Sequence, residues 1–185
     1  MGLIWFAATA LWGVAEATVF FIVPDVILTY AALRHGWRAG LRLAAVAAAS
    51  ASAAGVGMWL WGEHDPGSAQ RVMLLVPAIG PDLLARTTVE MASESWPFHL
   101  VFGAVQGVPY KLYAVSAGEH AVPLIWFVPI SFLARLMRFA FSVAVTSVGG
   151  EALARLGGER SAGAILTIGW LLLYGVYFTL RAMAG

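Results

Sequence analysis

Apolar residues fill most of this chain in long runs, and the points where the runs are broken define the predicted elements. The first run extends from Leu3 to Leu33, about half as long again as the roughly 20 residues that carry a helix across a bilayer. Glu16 and Pro24-Asp25 interrupt it, which predicts either a re-entrant helical hairpin or one long broken helix. Thr9, Gly13 and Glu16 recur at i, i+4 and i+7 and share one helical face. Leu41 to Trp61 predicts a spanning helix, and the Ala, Gly and Ser crowded between Ala44 and Gly57 suit close helix packing. Residues 62–95 are the one polar stretch of any length. Within them Asp82 to Ser95 predicts an amphipathic helix on the surface, with Arg86 and Glu90 as an i,i+4 pair. Trp96 to Gly118 is apolar again but holds Gly107, Pro109 and Lys111, so a second break is expected near Gly107–Pro109. Pro123 to Val148 predicts a long helix and 149–161 a short loop. The C-terminal spanning helix follows at 162–181, uncharged from Ala162 to Leu180 and read as a plain membrane anchor.

Composition turns these runs into a membrane protein. Of 185 residues 61% are hydrophobic and 11% charged, against roughly 25% charged in soluble domains. A net charge of +1 argues against a nucleic-acid partner, which calls for a basic surface. Without cysteine there is no disulfide framework, thiol nucleophile or Cys metal site. The N-terminus lacks a basic n-region and reads as a mature membrane segment, and Phe6 stands where a myristoylation signal needs Ser or Thr. The length leaves no room for a separate soluble domain, so residues 1–185 read as one membrane domain. Arg34, His35, Arg38 and Arg42 are the densest basic cluster, which places loop 34–42 in the cytoplasm and the acid-rich connector 62–95 on the outer side.

A weak internal repeat is visible between halves 1–61 and 96–148. Gly13-Val-Ala-Glu16 precedes Pro24-Asp25 as Gly103-Ala-Val-Gln106 precedes Pro109-Tyr-Lys111, although the spacing to the proline is eight residues in one copy and three in the other. Each break leads into a short apolar half-helix and then a spanning helix. Paired interrupted segments of this kind point to a transporter binding site.

Five ionisable residues fall inside apolar segments: Glu16, Asp25, Lys111, Arg135 and Arg138. Each costs about 2.5–3.5 kcal/mol at the centre of an inserting helix, so pairing or use is expected of them. Ser131, Arg135, Arg138, Ser142 and Thr146 form one polar stripe along their helix, which should face the bundle interior. On one reading the two acids pair with the two arginines and simply hold the bundle. On the other, two acids against three bases leave one positive charge over. The amides opening the half-helix after Pro109 also favour an anion. The cavity then suits a phosphate-bearing group bound by Lys111, Arg135 and Arg138, with Gln106 and Tyr110 in support. Glu16 or Asp25 would titrate as it enters, so protons are expected as coupling partners.

Other groupings carry less. Ser116 invites an intramembrane serine-protease reading, but its nearest histidine, His120, sits four residues away at a segment end. Glu63-His64-Asp65 reads as a metal ligand set or, beside Pro66-Gly67, as a solvated turn. The tryptophans, including Trp59 and Trp170, read as an interfacial belt. Tyr113, like Tyr110, flanks Lys111 and either lines the pocket or packs. No catalytic residue, metal or cofactor is assigned.

The order of these elements resembles the DedA superfamily, also called the VTT or SNARE-associated Golgi protein family. The likeness is carried by Val108-Pro-Tyr-Lys-Leu-Tyr-Ala-Val-Ser-Ala-Gly118, by Phe132-Leu-Ala-Arg-Leu-Met-Arg-Phe139, and by the acidic half from Glu16 to Asp25. It implies an all-α integral membrane fold: two facing re-entrant hairpins in a pseudo-inverted repeat, three spanning helices and one amphipathic helix. It also implies transport of a phosphate-headed lipid, undecaprenyl phosphate or a phospholipid, between leaflets of a bacterial inner membrane, with proton-motive force involved. Glu16 and Asp25 match the family's acids, Lys111 its second-break base, and Arg135 and Arg138 the basic pair of its small bacterial branch. Phe102-Gly-Ala-Val and Pro109-Tyr110 depart from the family's Phe-x-Gly-Arg and Pro-Gly. The rival expectations are a lipid-phosphate-modifying enzyme and a non-transporting packing subunit. Oligomeric state stays open, a homo-oligomer included.

Overall fold

The computed structural model describes residues 1–77, 79–103, 105–157 and 159–184, without the side chains of 154, 156, 157, 159, 160 and 180–184. The described residues are all-helical: α1 Leu3–Thr18, α2 Asp25–His35, α3 Trp37–His64, α4 Pro66–Met73, α5 Pro81–Ala92, α6 Trp96–Phe102, α7 Tyr110–Glu119, α8 Leu124–Gly157 and α9 Glu159–Ala184. Among the described residues three stretches are long and apolar enough to cross a membrane: Trp37–His64, Leu124–Leu153 and Ser161–Thr179. The chain has the build of a membrane protein.

The central strut is α3, against which α1, α2, α7 and α8 all pack. Its small residues make that possible. Gly40, Ala44, Ala47, Ala48, Ala51 and Gly55 are buried along it, and a Cβ at Gly62 would meet the Val115 carbonyl of α7. Such contacts bring backbones to a distance that larger side chains forbid. On α1 the buried face is Thr9, Gly13, Glu16 and Ala17, the face expected from the spacing of its polar residues. The helix α8 runs antiparallel to α3. Gly40 lies against Val143 near one end, and Trp59 Nε1 donates to the Val122 carbonyl at 3.0 Å near the other.

Both proline breaks form where expected. After α1 the chain leaves helical geometry until Pro24, which stands as the N-cap residue of α2. After α6 it turns through Gly107, at φ +78°, to Pro109, which opens α7. Lacking a Cβ, Gly107 enters the left-handed region without the clash other residues meet there. All residues of α7 from Tyr110 to Gly118 are buried.

The ends of the bundle are defined by contacts. Trp5 at the start of α1 meets His35 at the end of α2, ring centroids 5.4 Å apart and edge to face. Ser147, Gly150 and Glu151 of α8 share a pocket with Arg34, His35 and Trp37. At the opposite end Gln70 of α4 donates to Glu119 of α7 at 2.9 Å.

Several sequence expectations are corrected. The loop at 149–161 is helical up to Gly157, while Gly158 lies outside the described residues. The double glycine there works as a contact and not as a breaker, since a Cβ at Gly150 would collide with Leu33 of α2 at 2.6 Å. Good helix formers from Glu151 to Leu156 then carry α8 onward. The connector 62–95 holds two helices, not one. The first, α4, is capped by Asp65, whose Oδ1 accepts from Ser68 N at 3.0 Å, and this holds the carboxyl below its usual range. Asp65 in the Glu63-His64-Asp65 trio is thus a helix cap. Nor is α5 merely a surface helix: Leu84, Thr87, Glu90 and Met91 are buried and the helix packs on α7. Trp59 is a core residue, 6% exposed, and not part of an interfacial belt.

Candidate functional site

The two breaks are satisfied in different ways. An unwound stretch among apolar helices must find partners for its backbone groups. The second break supplies its own: Gln106 N donates to Gly103 O at 3.0 Å and Val108 N to Gly103 O at 2.9 Å. The first break borrows partners from three helices. Trp12 Nε1 of α1 donates to the Ile22 carbonyl at 2.9 Å. Lys111 Nζ of α7 donates to the Phe20 carbonyl at 2.6 Å. Tyr174 of α9 accepts from Val23 N at 2.9 Å through its hydroxyl. Lys111 thus ties the half-helix of the second break directly to the backbone of the first.

The five ionisable residues singled out in the sequence converge on one cavity of about 450 Å³. Arg135 pairs with Glu16 through Nη2 and Oε2. Asp25 accepts from Ser142 Oγ at 2.5 Å through Oδ1, and Arg138 Nη2 stands 2.9 Å from its Oδ2 without hydrogen-bond alignment. The Arg135 guanidinium lies over the Tyr110 ring at 4.5 Å and the Phe139 ring at 5.1 Å, where the π faces offset part of its desolvation. Four charges therefore form two acid–base couples. Lys111, 2% exposed, has only the Phe20 carbonyl as a partner among the described residues. An ammonium carries three donors, so two N–H groups remain for a guest. Arg135 Nε is likewise buried without a partner.

Burial separates these charges by role. Asp25 and Arg135 are 2% and 6% exposed, whereas the Arg138 side chain keeps 31% of its surface. Removing one partner of a buried couple leaves an uncompensated charge at a cost of about 3–5 kcal/mol. Arg138 is accordingly the most exposed of the three bases.

Of the supporting residues, Tyr110 lines the cavity, with its hydroxyl pressed against Gly55 of α3. Gln106 does not line it. It is exposed, and its Oε1 accepts from Arg86 of α5. Arg86 in turn binds Glu90 at 2.6 Å, and Glu90 accepts from the Tyr113 hydroxyl at 2.7 Å. Burial raises the Glu90 carboxyl, but the bonds from Tyr113 and Arg86 and the Arg86 charge outweigh it and hold the group below its usual value. His99 Nδ1 approaches the same carboxylate at 3.8 Å. Gln106 and Tyr113 therefore belong to a polar knot that fastens α5 to the second break, beside the cavity and not in it.

Sequence reasoning missed α9. Trp170, Tyr174 and Tyr177 line the cavity from that helix, and Trp170 Nε1 donates to Thr29 Oγ1 at 3.1 Å. Their i, i+4, i+7 spacing was the available signal. The helix read as a plain anchor is a wall of the site. Ser116, by contrast, is buried, its hydroxyl unpartnered, and His120 reaches it only through the backbone bond from its N to Ser116 O at 3.1 Å. No Ser–His couple of the kind a nucleophile needs is formed there.

Chemically, the site is an apolar-walled chamber with two acid–base couples, one ammonium outside any ion pair and a half-buried guanidinium. Set beside known proteins, the chain matches no family model, no curated protein and no solved structure.

Proposed function

We propose that this protein moves a phosphate-headed lipid between the two leaflets of a membrane. The observation that carries the proposal is Lys111, a buried ammonium without a carboxylate partner, facing a cavity in which every other charge is already paired. A buried cation is costly unless an anion meets it, and a phosphate monoester or diester supplies one with several acceptor oxygens. Transport needs no covalent chemistry, only a polar path for the headgroup while the chains stay in lipid.

Re-entrant hairpins at 3–35 and 96–119 are part of the proposal. At 16 residues, α1 is about 24 Å long, short of the ~30 Å hydrocarbon core. The contact between Trp5 and His35 supports a chain that returns to the end it entered from. So does the position of Ser147–Glu151 beside Arg34–Trp37, since broken spanning helices would part these groups. A pseudo-inverted repeat fits the shared order of break, half-helix, tight turn and long helix, and the antiparallel course of α3 and α8. The DedA-like motifs around Lys111 and Arg135–Arg138 point the same way, with 34–42 cytoplasmic by its basic charge.

The packing-subunit reading draws on one observation, that both acids are already neutralised within the chain. It accounts for one Lys111 N–H, bound to the Phe20 carbonyl, and leaves the charge without an ion pair. Leaflet exchange of fluorescent phospholipids and a polyprenyl phosphate in liposomes tests the proposal. Wild type is expected to exchange at least one of them, and Lys111→Ala to slow it by about tenfold or more, the loss of a charge-assisted contact. Absence of exchange by wild type would defeat it. Proton coupling is a separate arm: rates that ignore both pH and Glu16→Gln would exclude Glu16 as the carrier.

A further inference from the structure

A second cavity of about 320 Å³ opens between α8, α9 and the end of α2. Its walls are almost wholly apolar, among them Leu33, Leu153, Ile165 and Leu166, with Gly149 and Gly169 also in the lining. A Cβ at either glycine would meet nothing within 4 Å, so the gap is not filled by neighbouring atoms. Trp170 and Leu173 line both this groove and the charged cavity. Polar chamber and apolar groove therefore adjoin along α9, with the Trp170 indole bound to Thr29 of α2 where they meet. From Leu173 to Ala162 the groove follows α9 for about 16 Å, close to half of the ~30 Å hydrocarbon core.

We propose that this groove is the seat of one hydrocarbon chain of the molecule whose phosphate head occupies the charged cavity. The inference rests on the headgroup reading above. It assigns the chain to a site on the protein, where a head-only transporter would leave it in bulk lipid. The adjacency of the two cavities is the argument for this occupant: a single molecule with an anionic end and a long apolar end can reach both. Apolar burial contributes little selectivity here, since a chain leaving lipid for the groove exchanges one apolar surrounding for another. Occupancy must be driven by the head.

That dependence is testable with the full chain in nanodiscs and two photoreactive probes of equal chain length, one a long-chain alkyl phosphate and one the parent alcohol. Each carries its reactive group midway along the chain. The phosphate probe is expected to label 149–153 and 162–169 about tenfold more than the alcohol, the ratio that one charge-assisted contact provides. Gly169→Leu or Gly149→Leu, each of which places atoms in the groove, should bring that labelling down to the alcohol's level. Equal labelling by both probes in wild type would overturn the proposal and mark the groove as ordinary boundary lipid. Labelling that survives either folded glycine variant would overturn it as well. Failure of the transport reading looks different: selective groove labelling by a protein that exchanges no lipid would sink transport and leave the chain seat standing.

Discussion

At the scale of single residues, the decisive contrast is between charges that close on each other and charges held open. Glu16 with Arg135 and Asp25 with Arg138 are closed, and Lys111 is open. A third acid, Glu90, shows how far a partner set can change a residue's standing. By spacing it is a surface i,i+4 partner of Arg86. In the fold it is a hub that accepts from Arg86 and Tyr113 and faces His99. Glu90→Gln is expected to destabilise the protein by about 1–3 kcal/mol, as the buried Tyr113 hydroxyl loses a charged acceptor. The pH dependence has a definite sign. Because the folded carboxyl lies below its ordinary value, its stabilisation is present above that value and disappears as pH falls through the folded one. Thermal melts of wild type and Glu90→Gln should therefore differ at neutral pH and converge in acid. A constant gap across the range would show that the charge is not the source.

At the scale of elements, both half-helices end in tight turns before a long helix, but they pay for those turns differently. Gly36 takes φ +83° between α2 and α3, whereas Ala121 takes φ +51° between α7 and α8. Around Ala121 the Val122 N to Ala117 O and Ala121 N to Gly118 O bonds, 2.8 and 2.9 Å, form a Schellman closure, which ordinarily carries glycine at that position. Ala121→Gly is thus expected to stabilise the protein by about 1 kcal/mol, read as a higher melting temperature. Elements were legible in the sequence where a local rule was broken. Pro24, Pro109, Lys111 and the Arg135/Arg138 stripe stand out because lipid-facing helices avoid them, and the breaks and the charge cluster followed. What stayed hidden depends on partners distant in sequence. Gly149-Gly150 signals a loop unless Leu33 is known to lie across from it. The role of α9 rests on a tyrosine hydroxyl and an indole N–H, groups that in an uncharged helix look like membrane-interface residues. Gln106 was assigned to the cavity from its place beside the break, but Arg86, reached only through the fold, draws it aside.

At the scale of the whole molecule, the charged cavity sits where two interrupted segments meet, with α3 behind them and α8 and α9 as walls. Orientation follows from which ends are shared. A membrane-impermeant thiol reagent applied to Arg34→Cys and Arg155→Cys variants should label both from the same side, the outcome required by two re-entrant segments. Labelling from opposite sides would mean two broken spanning helices instead.

The couples that neutralise this cavity join positions far apart along the chain, 119 residues between Glu16 and Arg135, with Asp25 paired to Arg138 on the same distant helix. Synthesis and insertion proceed from the N-terminus, so α1 and α2 enter the membrane long before their counter-charges exist. For that interval each carboxyl carries an insertion penalty of about 2.5–3.5 kcal/mol unless it is protonated or held at the interface. The N-terminal half is thus a waiting intermediate that arrival of α8 completes. A chain stopped at Val122 should accumulate poorly in membranes compared with full length, and Glu16→Gln with Asp25→Asn should restore it. Biogenesis would then read the same charges as the proposed transport, in the opposite circumstance: with the bases not yet made.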